Sequence, residues 1–323
     1  MDNRIITRIE LHKNADRRIR GGHPWVFSNE VSRIDGSRAP GVTVELFAAD
    51  GTFLGTGYHN PHSLIAVRIL SRSRTNIDTP EFFIERMQQA LSLRNSVYPG
   101  LASFRAVHGE GDFLPGLVVD KYGDYLSIQL LSCGMEVRRQ AIVDALQELF
   151  RPKGILARND VAVRALEGLD ERTEILAGEI PEHIEIEENG LHFVVNLASG
   201  QKTGHFLDQK DNHLLLERFA SGGEILDCFC YSGSWGVHAA SFGAARVTCL
   251  DISDRAIALA KENAALNQVI DRMSFETVDV FERLRTLKSE RRSFDLIVMD
   301  PPAFVKSRKA LREAEKGYLT INR

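Results

Sequence analysis

The sequence has few of the features that mark membrane, disulfide-rich or metal-binding proteins. No apolar run approaches the roughly 18 residues that cross a bilayer, which argues against a membrane protein. The first residues mix acids with bases and do not resemble a secretory signal. The four cysteines form no CxxC motif and no metal-ligand spacing. We therefore expect a cytoplasmic protein with reduced thiols and no metal site.

A strong overall charge is also absent, but the charge is unevenly distributed. The net charge of the chain is −4, which argues against a uniformly basic nucleic-acid-binding protein. Residues 1–80 carry a net +3, residues 81–190 a net −8 and residues 191–323 a net +1. The two ends of the chain are therefore free to contact a polyanion.

The first part of the chain is rich in strand patterns. Short alternating runs divided by glycine and proline fill residues 1–72, with an Asp50-Gly51 hairpin signal between two of them. Helical spacing then replaces them over residues 76–100, where Thr79 and Pro80 are typical of a helix start. This pattern predicts a small β domain followed by a helix.

Residues 101–190 return to strands around one amphipathic helix, "RRQAIVDALQELF". A second hairpin is predicted at Asn189-Gly190, a pair that suits a type I′ turn. We place a domain boundary just before that hairpin. The predicted domains are residues 1–72, a mixed α/β middle domain at 73–188, and residues 189–323.

From residue 224 the pattern becomes a strict alternation of strands and helices, which is typical of a parallel, doubly wound α/β sheet. Four strands are predicted at "EILDCFC", "RVTCLD", "MSFETVD" and "FDLIVMD". The helices between them are predicted at residues 234–243, 254–267 and 279–288.

An acid ends or nearly ends each of these four strands, and these acids are Asp227, Asp251, Asp279 and Asp300. The carboxyl ends of parallel strands share one edge, so the carboxylates should surround one crevice. The G-x-G-x-x-G fingerprint of nicotinamide sites is missing, because the first turn reads "FCYSGSWG". Acids without a phosphate-binding turn favour a cationic cofactor such as S-adenosylmethionine, with Asp251 on the ribose and Asp279 at the adenine. Taken singly, each acid could instead cap a helix.

Longer motifs extend this interpretation to the whole chain. They include "GGHPWVFSNEV", "GDFLPGLVVDKYGDYLSIQ", "GQKTGHFLDQKDN", "DCFCYSGSWGVHAA", "FDLIVMDPPAFV" and "GYLTIN". With them the chain resembles the RlmI-like bacterial class I methyltransferases, which make 5-methylcytidine in 23S ribosomal RNA. The resemblance implies an N-terminal PUA-type RNA-binding β-barrel, a mixed α+β middle domain and a C-terminal Rossmann-like methyltransferase domain. It implies S-adenosylmethionine as cofactor and 23S ribosomal RNA as partner, and it is compatible with a homodimer.

The resemblance also implies roles for the matching residues. Those expected near the cofactor are Lys202, Gly204, Phe206, Asp208, Asp227, Phe229, Tyr231, Ser232, Gly233, Asp251, Ile252, Asp279, Val280 and Asp300. Those expected at the target base are Asp300, Pro301 and Phe304. Residues that could contact RNA are Arg20, Trp25, Lys306 and Arg308. Core packing is the favoured explanation for Trp25, and a solvated turn explains Arg20 equally well.

Methylation at carbon 5 of cytosine normally needs a cysteine thiolate that adds at carbon 6. Cys228 and Cys230 lie on the first strand and its turn, on the cofactor side, and are expected to be core thiols. The residue after the two prolines is Ala303, where other RNA cytosine-5 methyltransferases have cysteine and the RlmI-like family usually has lysine. The family's nucleophile lies on a later strand, so we expect it beyond Arg323 and expect this chain to be truncated after its fourth strand.

Two other functions remain open at this point, and a third is disfavoured. An amino-group methyltransferase acting on RNA or protein would use Asp300, the Pro301 carbonyl and Phe304 without any cysteine. A non-catalytic RNA-binding or ribosome-assembly factor would keep the fold without turnover. A nicotinamide oxidoreductase is disfavoured by the missing glycine fingerprint.

Overall fold

The computed structural model describes residues 6–200, 203–304 and 311–322. The predicted site residues Lys202, Lys306 and Arg308 lie outside the described residues. The chain divides into two compact units. The first contains residues 1–184 and 196–205, and the second contains residues 185–195 and 206–323.

The first unit begins with a six-stranded sheet. Its strands are β1 Thr7–Leu11, β2 Trp25–Phe27, β3 Val31–Asp35, β4 Thr43–Phe47, β5 Phe53–His59 and β6 Ile65–Ser71. They lie in the order β2-β6-β5-β4-β1-β3, with β1 and β4 parallel and the other pairs antiparallel. A short helix, α1 at Arg17–Arg20, follows β1. Alternate residues of the strands, such as Ile9 and Leu11 of β1, face a buried aliphatic core, as strand periodicity requires.

A second sheet completes the first unit. Its strands are β7 Ser103–His108, β8 Leu117–Tyr122, β9 Tyr125–Leu130, β10 Gly154–Asn159 and β11 Arg172–Gly178, in the order β11-β10-β9-β8-β7. Its helices are α2 Pro80–Val97, α3 Cys133–Val137 and α4 Arg139–Phe150. Tyr58 and Leu70 of the first sheet lie in the same hydrophobic core as these helices and strands. The first unit therefore has a core that both sheets share.

The helix predicted within residues 76–100 is confirmed as α2, which ends at Val97. Pro80 begins α2, as predicted, because a proline at the first helical position loses no hydrogen bond. Thr79 lies at the N-cap, but its side chain makes no capping hydrogen bond. The predicted helix "RRQAIVDALQELF" is confirmed as α4, with Ile142, Ala145 and Leu146 buried on one face.

The second unit contains a hairpin and a parallel sheet. The hairpin pairs β12 Ile184–Glu188 with β13 Leu191–Val195, and α5 Lys210–Leu214 follows. Asn189 and Gly190 both have positive φ, as a type I′ turn requires, so the predicted hairpin is confirmed. The first residue of β12, Ile184, falls in the first unit.

The parallel sheet has strands β14 Glu224–Cys228, β15 Arg246–Asp251, β16 Met273–Thr277 and β17 Leu296–Met299. All three strand pairs are parallel, in the order β16-β15-β14-β17. The helices between the strands are α6 Ser234–Ser241, α7 Asp254–Leu266 and α8 Val280–Ser289, and α9 spans Leu311–Ile321. The predicted α/β architecture is confirmed. From β14 the chain adds β15 and β16 on one side and then places β17 on the other side. Open α/β sheets bind ligands at such a reversal of strand order, which here is bordered by the carboxyl ends of β14, β15 and β17.

Short 3₁₀ helices occupy several connections, at Ser28–Glu30, Gly109–Asp112, Ala162–Glu167, Leu207–Gln209, Leu215–Arg218 and Ile270–Arg272. Within the described residues, no helix combines the length and the hydropathy needed to cross a membrane. The division of the chain into domains at residues 72 and 188 stays a prediction.

Candidate cofactor site

The turn after β14 has an unusual backbone. Phe229, Tyr231 and Gly233 have φ angles of 63°, 48° and 75°, all in the left-handed region. Such angles are costly for residues other than glycine, and they are kept mainly where the surrounding structure holds them. Here the Cys230 N–H donates to the Leu250 carbonyl at 3.0 Å. Neighbouring strand β15 therefore helps to hold the turn in its strained form.

Gly233 lies where this turn packs against α7. A Cβ at this position would come 2.8 Å from the Cβ of Ala260, so a larger residue would push the turn away from the helix. From the α7 side, the Asn263 amide donates to the Ser232 carbonyl at 2.9 Å. These contacts hold the glycine turn against α7 at the carboxyl edge of the sheet.

Asp227 is completely buried at the end of β14. Its Oδ2 accepts the Gly236 N–H at 3.0 Å, whereas its Oδ1 has no hydrogen-bond partner among the described residues. The pKa of Asp227 is raised to about 7, mainly by burial and also by the negative charges of Asp300 and Asp251, while the hydrogen bond from the Gly236 N–H lowers it. A buried carboxyl group with an unused oxygen and two acidic neighbours is suited to a cationic ligand.

Asp251, at the end of β15, orders the loops on both sides of it. Its Oδ2 accepts the Tyr231 N–H at 3.0 Å, and its Oδ1 accepts the Ser253 N–H at 2.9 Å. The next residue, Ile252, is 70% exposed and presents an apolar surface beside the carboxylate. A carboxylate next to an apolar face is the combination that a ribose and an adenine need.

Asp279 has a structural role that the sequence left open. Its Oδ1 accepts the Glu282 N–H at 3.0 Å, which makes it the N-cap of α8. The following residue, Val280, is buried. For this acid the helix-cap alternative is confirmed, and its part in adenine binding stays a prediction.

The segment after β17 places Asp300 at an exposed position and Pro301 at a half-buried one. Phe304 packs between two other aromatic rings, with centroid distances of 5.8 Å to Phe281 and 4.7 Å to Tyr318. The sequence singled out Phe304 but not these two neighbours. Their contacts fix the orientation of the Phe304 ring. A ring that stacks on a substrate needs such a fixed orientation.

The predicted segment "QKTGHFLDQ" is divided between the two units after His205. Gly204 belongs to the first unit, where its φ is 137° and a Cβ would come 2.7 Å from the Leu197 side chain. Phe206 belongs to the second unit, where its ring meets Tyr231 edge-on at 5.6 Å. Asp208 is exposed in the 3₁₀ helix that follows. Of this segment, Phe206 therefore reaches the glycine turn within the second unit.

The cysteines are buried, as predicted for Cys228 and Cys230. Burial and the neighbouring Asp227 charge raise the pKa of Cys228 to about 12. Cys249 lies beneath the site, where its Sγ is 3.9 Å from Asp227 Oδ2. A nucleophilic cysteine needs a lowered pKa and access to substrate, so none of these thiols has the properties of a nucleophile.

A buried cluster of Glu188, His213 and His238 was missed by sequence reasoning. One ligand atom from each lies within 4.8 Å of the others, which is close enough for a metal ion. However, His213 Nδ1 is 2.6 Å from Glu188 Oε1, and His238 Nδ1 donates to the Ser234 carbonyl. The two imidazole rings stack at 4.6 Å with 27° between their planes, so one ion would lie out of both ring planes. The cluster is better described as a hydrogen-bonded network that connects the hairpin to α5 and α6.

The chain was then compared with known proteins. The family model for S-adenosylmethionine-dependent methyltransferases matches residues 108–320, and a PUA-like domain model matches residues 9–72. The chain belongs to this methyltransferase family. Its cofactor is S-adenosylmethionine, in agreement with the prediction made from the strand-end acids.

Curated relatives support this membership, and solved structures share the fold. "Ribosomal RNA large subunit methyltransferase I" of Vibrio cholerae is 42% identical over 97% of this chain and 80% of its own length. The protein of the same name from Pseudoalteromonas atlantica is 39% identical over 98% of this chain and 81% of its own. A Streptococcus mutans protein assigned as an S-adenosylmethionine-dependent methyltransferase matches with a TM-score of 0.77, at 23% identity over 96% of this chain and 82% of that one. A second structure, complexed with S-adenosylhomocysteine (SAH), matches with a TM-score of 0.81, at 23% identity over 97% of this chain and 82% of that one. These two structural matches show the fold.

Proposed function

We propose that this methyltransferase forms 5-methylcytidine in 23S ribosomal RNA. The observation that supports the RNA substrate is the 42% identity to a large-subunit ribosomal RNA methyltransferase over nearly the whole chain. The PUA-like match at residues 9–72 supports it independently, since PUA domains are an RNA-binding type. Cytidine and carbon 5 come from the resemblance of the motifs to the RlmI-like family. An RNA substrate of this kind also implies a cytoplasmic location, and a homodimer stays a prediction.

In this proposal the strand-end carboxylates hold S-adenosylmethionine, which supplies the methyl group. The Asp227 carboxylate attracts its positive charge, and the Asp251 carboxylate accepts hydrogen bonds from its ribose. Ile252 packs against the adenine. Phe206 and Tyr231 contact one another at the methionine side. Asp300 and the Pro301 carbonyl accept hydrogen bonds from the edge of the target base, and the Phe304 ring stacks on it. The carboxyl edge of the sheet thereby holds both reactants and orients them.

Methylation of an amino group is a second candidate. The observation that favours it is that all four cysteines are buried, with Ala303 next to the proline pair. An exocyclic amine attacks the methyl group directly and needs no thiolate. Asp300 and the Pro301 carbonyl would then accept the two hydrogens of the amine.

The test is a methyl-transfer assay with S-adenosylmethionine carrying a tritiated methyl group. Large-subunit ribosomal RNA that lacks base methylation is incubated with this chain and, in parallel, with a version extended to include the cysteine nucleophile expected beyond Arg323. The Vibrio cholerae relative serves as a positive control. The RNA is then digested to nucleosides and separated. Label in 5-methylcytidine supports the proposal. Label in an N-methylated nucleoside supports the second candidate, and label in neither while the control works contradicts both.

Cofactor affinity should depend on pH through Asp227. The pKa of its carboxyl group is raised in the folded chain from 3.8 to about 7, so the folded chain holds a proton that the unfolded chain has lost. The stability that this group contributes is therefore fully present below pH 3.8 and is lost as the pH rises through 7. A cationic ligand favours the ionised carboxylate, so binding should strengthen as the pH rises from 6 to 8.

We expect the affinity for S-adenosylmethionine to increase about tenfold between pH 6 and pH 8, as measured by titration calorimetry. The Asp227→Asn variant, which cannot ionise, should bind with little pH dependence. Asp254→Asn, a change at an exposed acid in the first turn of α7, serves as the matched control and should keep the increase. An increase of the same size in Asp227→Asn would assign the effect to another group.

A further inference from the structure

Arg20 and Trp25, which the sequence suggested as RNA contacts, make internal contacts, and so does their neighbour Arg18. Arg18 Nη2 donates to both carboxylate oxygens of Glu30, at 2.8 and 2.9 Å. Arg20 is bonded to Asp16, and the Trp25 indole N–H donates to Glu110 Oε1 at 3.0 Å. Each of these side chains already donates to a carboxylate within the protein. They are therefore less suited to be the main RNA contacts.

A cleft on the same domain has the opposite character. It is formed by residues 28–38 and 59–66, has a volume of about 480 Å³, and contains no aspartate or glutamate among the residues that line it. We call it the Arg38 cleft. Its polar lining consists of arginine, serine, histidine and asparagine side chains, namely Ser28, Ser32, Arg33, Arg38, His59, Asn60 and Ser63. The volume is in the range of ligand-binding clefts, and the lining is rich in hydrogen-bond donors.

Positive charge in the Arg38 cleft is little compensated. Arg33 pairs with Asp35 at 3.2 Å, but both side chains are about two-thirds exposed, so this pair is weak and easily exchanged. Arg38 is exposed and makes no ion pair with any described residue. Burial lowers the pKa of His59, and the positive charge of Arg38 lowers it further. The field in the cleft is therefore positive, and it suits an anion.

The floor and rim of the cleft add further contacts for a nucleotide. His59 is 3% exposed, and its Nδ1 has no hydrogen-bond partner within the part of the chain that the structure describes. Ser63 Oγ accepts the Ile65 N–H at 3.2 Å, which leaves its own hydrogen to donate. The next residue, Leu64, is 80% exposed, an unusual position for a leucine that would suit contact with a base.

We propose that the Arg38 cleft binds the sugar-phosphate backbone of single-stranded RNA. Arg33 and Arg38 contact successive phosphates, Ser63 donates to a phosphate oxygen, and Leu64 packs against an unstacked base. Phosphate contacts of this kind position an RNA without reading its sequence. This inference rests on the proposed function only in that the substrate is RNA, and it does not depend on which atom is methylated.

The test compares two double variants of the 323-residue chain by fluorescence anisotropy with a fluorescein-labelled single-stranded RNA. Arg33→Gln/Arg38→Gln alters the Arg38 cleft, and Arg17→Gln/Arg18→Gln alters α1. Each variant loses two positive charges, so the long-range attraction of RNA changes equally in both. Thermal unfolding of each variant confirms that it is folded.

We expect the cleft variant to raise the Kd on the order of tenfold and to reduce the slope of log Kd against log salt by about 1.4, since each phosphate contact with single strands contributes about 0.7. The α1 variant should change the Kd less than about threefold. Cross-linking with RNA that contains 4-thiouridine should label peptides from residues 28–38 and 59–66.

Equal effects in the two variants, or cross-links confined to α1 and β2, would contradict the Arg38 cleft. Binding is measured without cofactor, so a failed methyl-transfer assay leaves this result intact. If the unchanged chain binds no RNA at all, then both this inference and the proposed RNA substrate are wrong.

Discussion

Replacing Arg68 with methionine should lower the free energy of unfolding of the first unit by about 3–5 kcal/mol. Arg68 on β6 donates to both oxygens of Glu167, at 2.8 and 3.1 Å, and the two side chains are only 9% and 3% exposed. The Asn60 amide also donates to Glu167. Methionine would leave the Glu167 carboxylate buried without its cation, and a buried unpaired charge is among the costliest defects in a protein.

The two tryptophans make this measurement selective. Trp25 lies in the first unit and Trp235 in the second, so urea unfolding in a Trp235→Phe background follows the first unit by fluorescence. The control is Arg8→Met, which breaks a half-buried pair with Glu10 and should cost less than about 1 kcal/mol.

A double variant then separates the lost ion pair from the lost packing. In Arg68→Met/Glu167→Gln neither member of this pair carries a charge, so we expect most of the lost stability to return. If Arg68→Met costs no more than Arg8→Met, the pair is not the main link between Glu167 and β6. If the double variant is as unstable as the single one, packing rather than charge is responsible.

The parallel sheet could be predicted from sequence because local and tertiary preferences agree there. The run "RVTCLD" was predicted as a strand and forms β15 with the same bounds, paired on both sides by parallel strands. The hairpin at Asn189-Gly190 followed from the positive φ that few other residue pairs tolerate. In such places the pattern within a few residues is enough to determine the structure.

The strained turn could not be predicted in the same way. Its sequence "FCYSGSWG" places glycine at only one of the three positive-φ residues, because Phe229 and Tyr231 also adopt left-handed angles. Those angles are held by the Leu250 carbonyl and the Asp251 carboxylate, about 20 residues further along the chain. A local pattern contains no information about partners so distant.

Long-range partners also explain what was missed elsewhere. Glu188, His213 and His238 follow one another at intervals of 25 residues, so no short sequence motif marks them as a cluster. Trp25 looked available for RNA until the structure showed that Glu110 accepts its indole N–H. Sequence reasoning identified which residue types could serve a function, and tertiary contacts decided which of them are already engaged.

Replacing Asp251 with asparagine should weaken S-adenosylmethionine binding on the order of 100-fold. We propose that this carboxylate accepts both ribose hydroxyls, and hydrogen bonds to a charged group contribute about 1.5–3 kcal/mol each. Asparagine has the same size, but it has no charge and one of its two terminal atoms is a donor. That donor would face either the ribose or one of the two backbone N–H groups that Asp251 now binds, those of Tyr231 and Ser253.

Calorimetric titration at pH 8, where Asp227 is ionised, measures the loss without interference from its titration. Asp254→Asn removes an exposed acid three residues away and should leave the affinity within about threefold, since it changes only a surface charge near the helix N-terminus. Urea unfolding followed by Trp235 fluorescence in a Trp25→Phe background shows whether the turn survives the Asp251 change. Weak binding with an unchanged unfolding midpoint assigns Asp251 to the cofactor, whereas affinity within threefold of the unchanged chain would mean that Asp251 serves only to hold the turn.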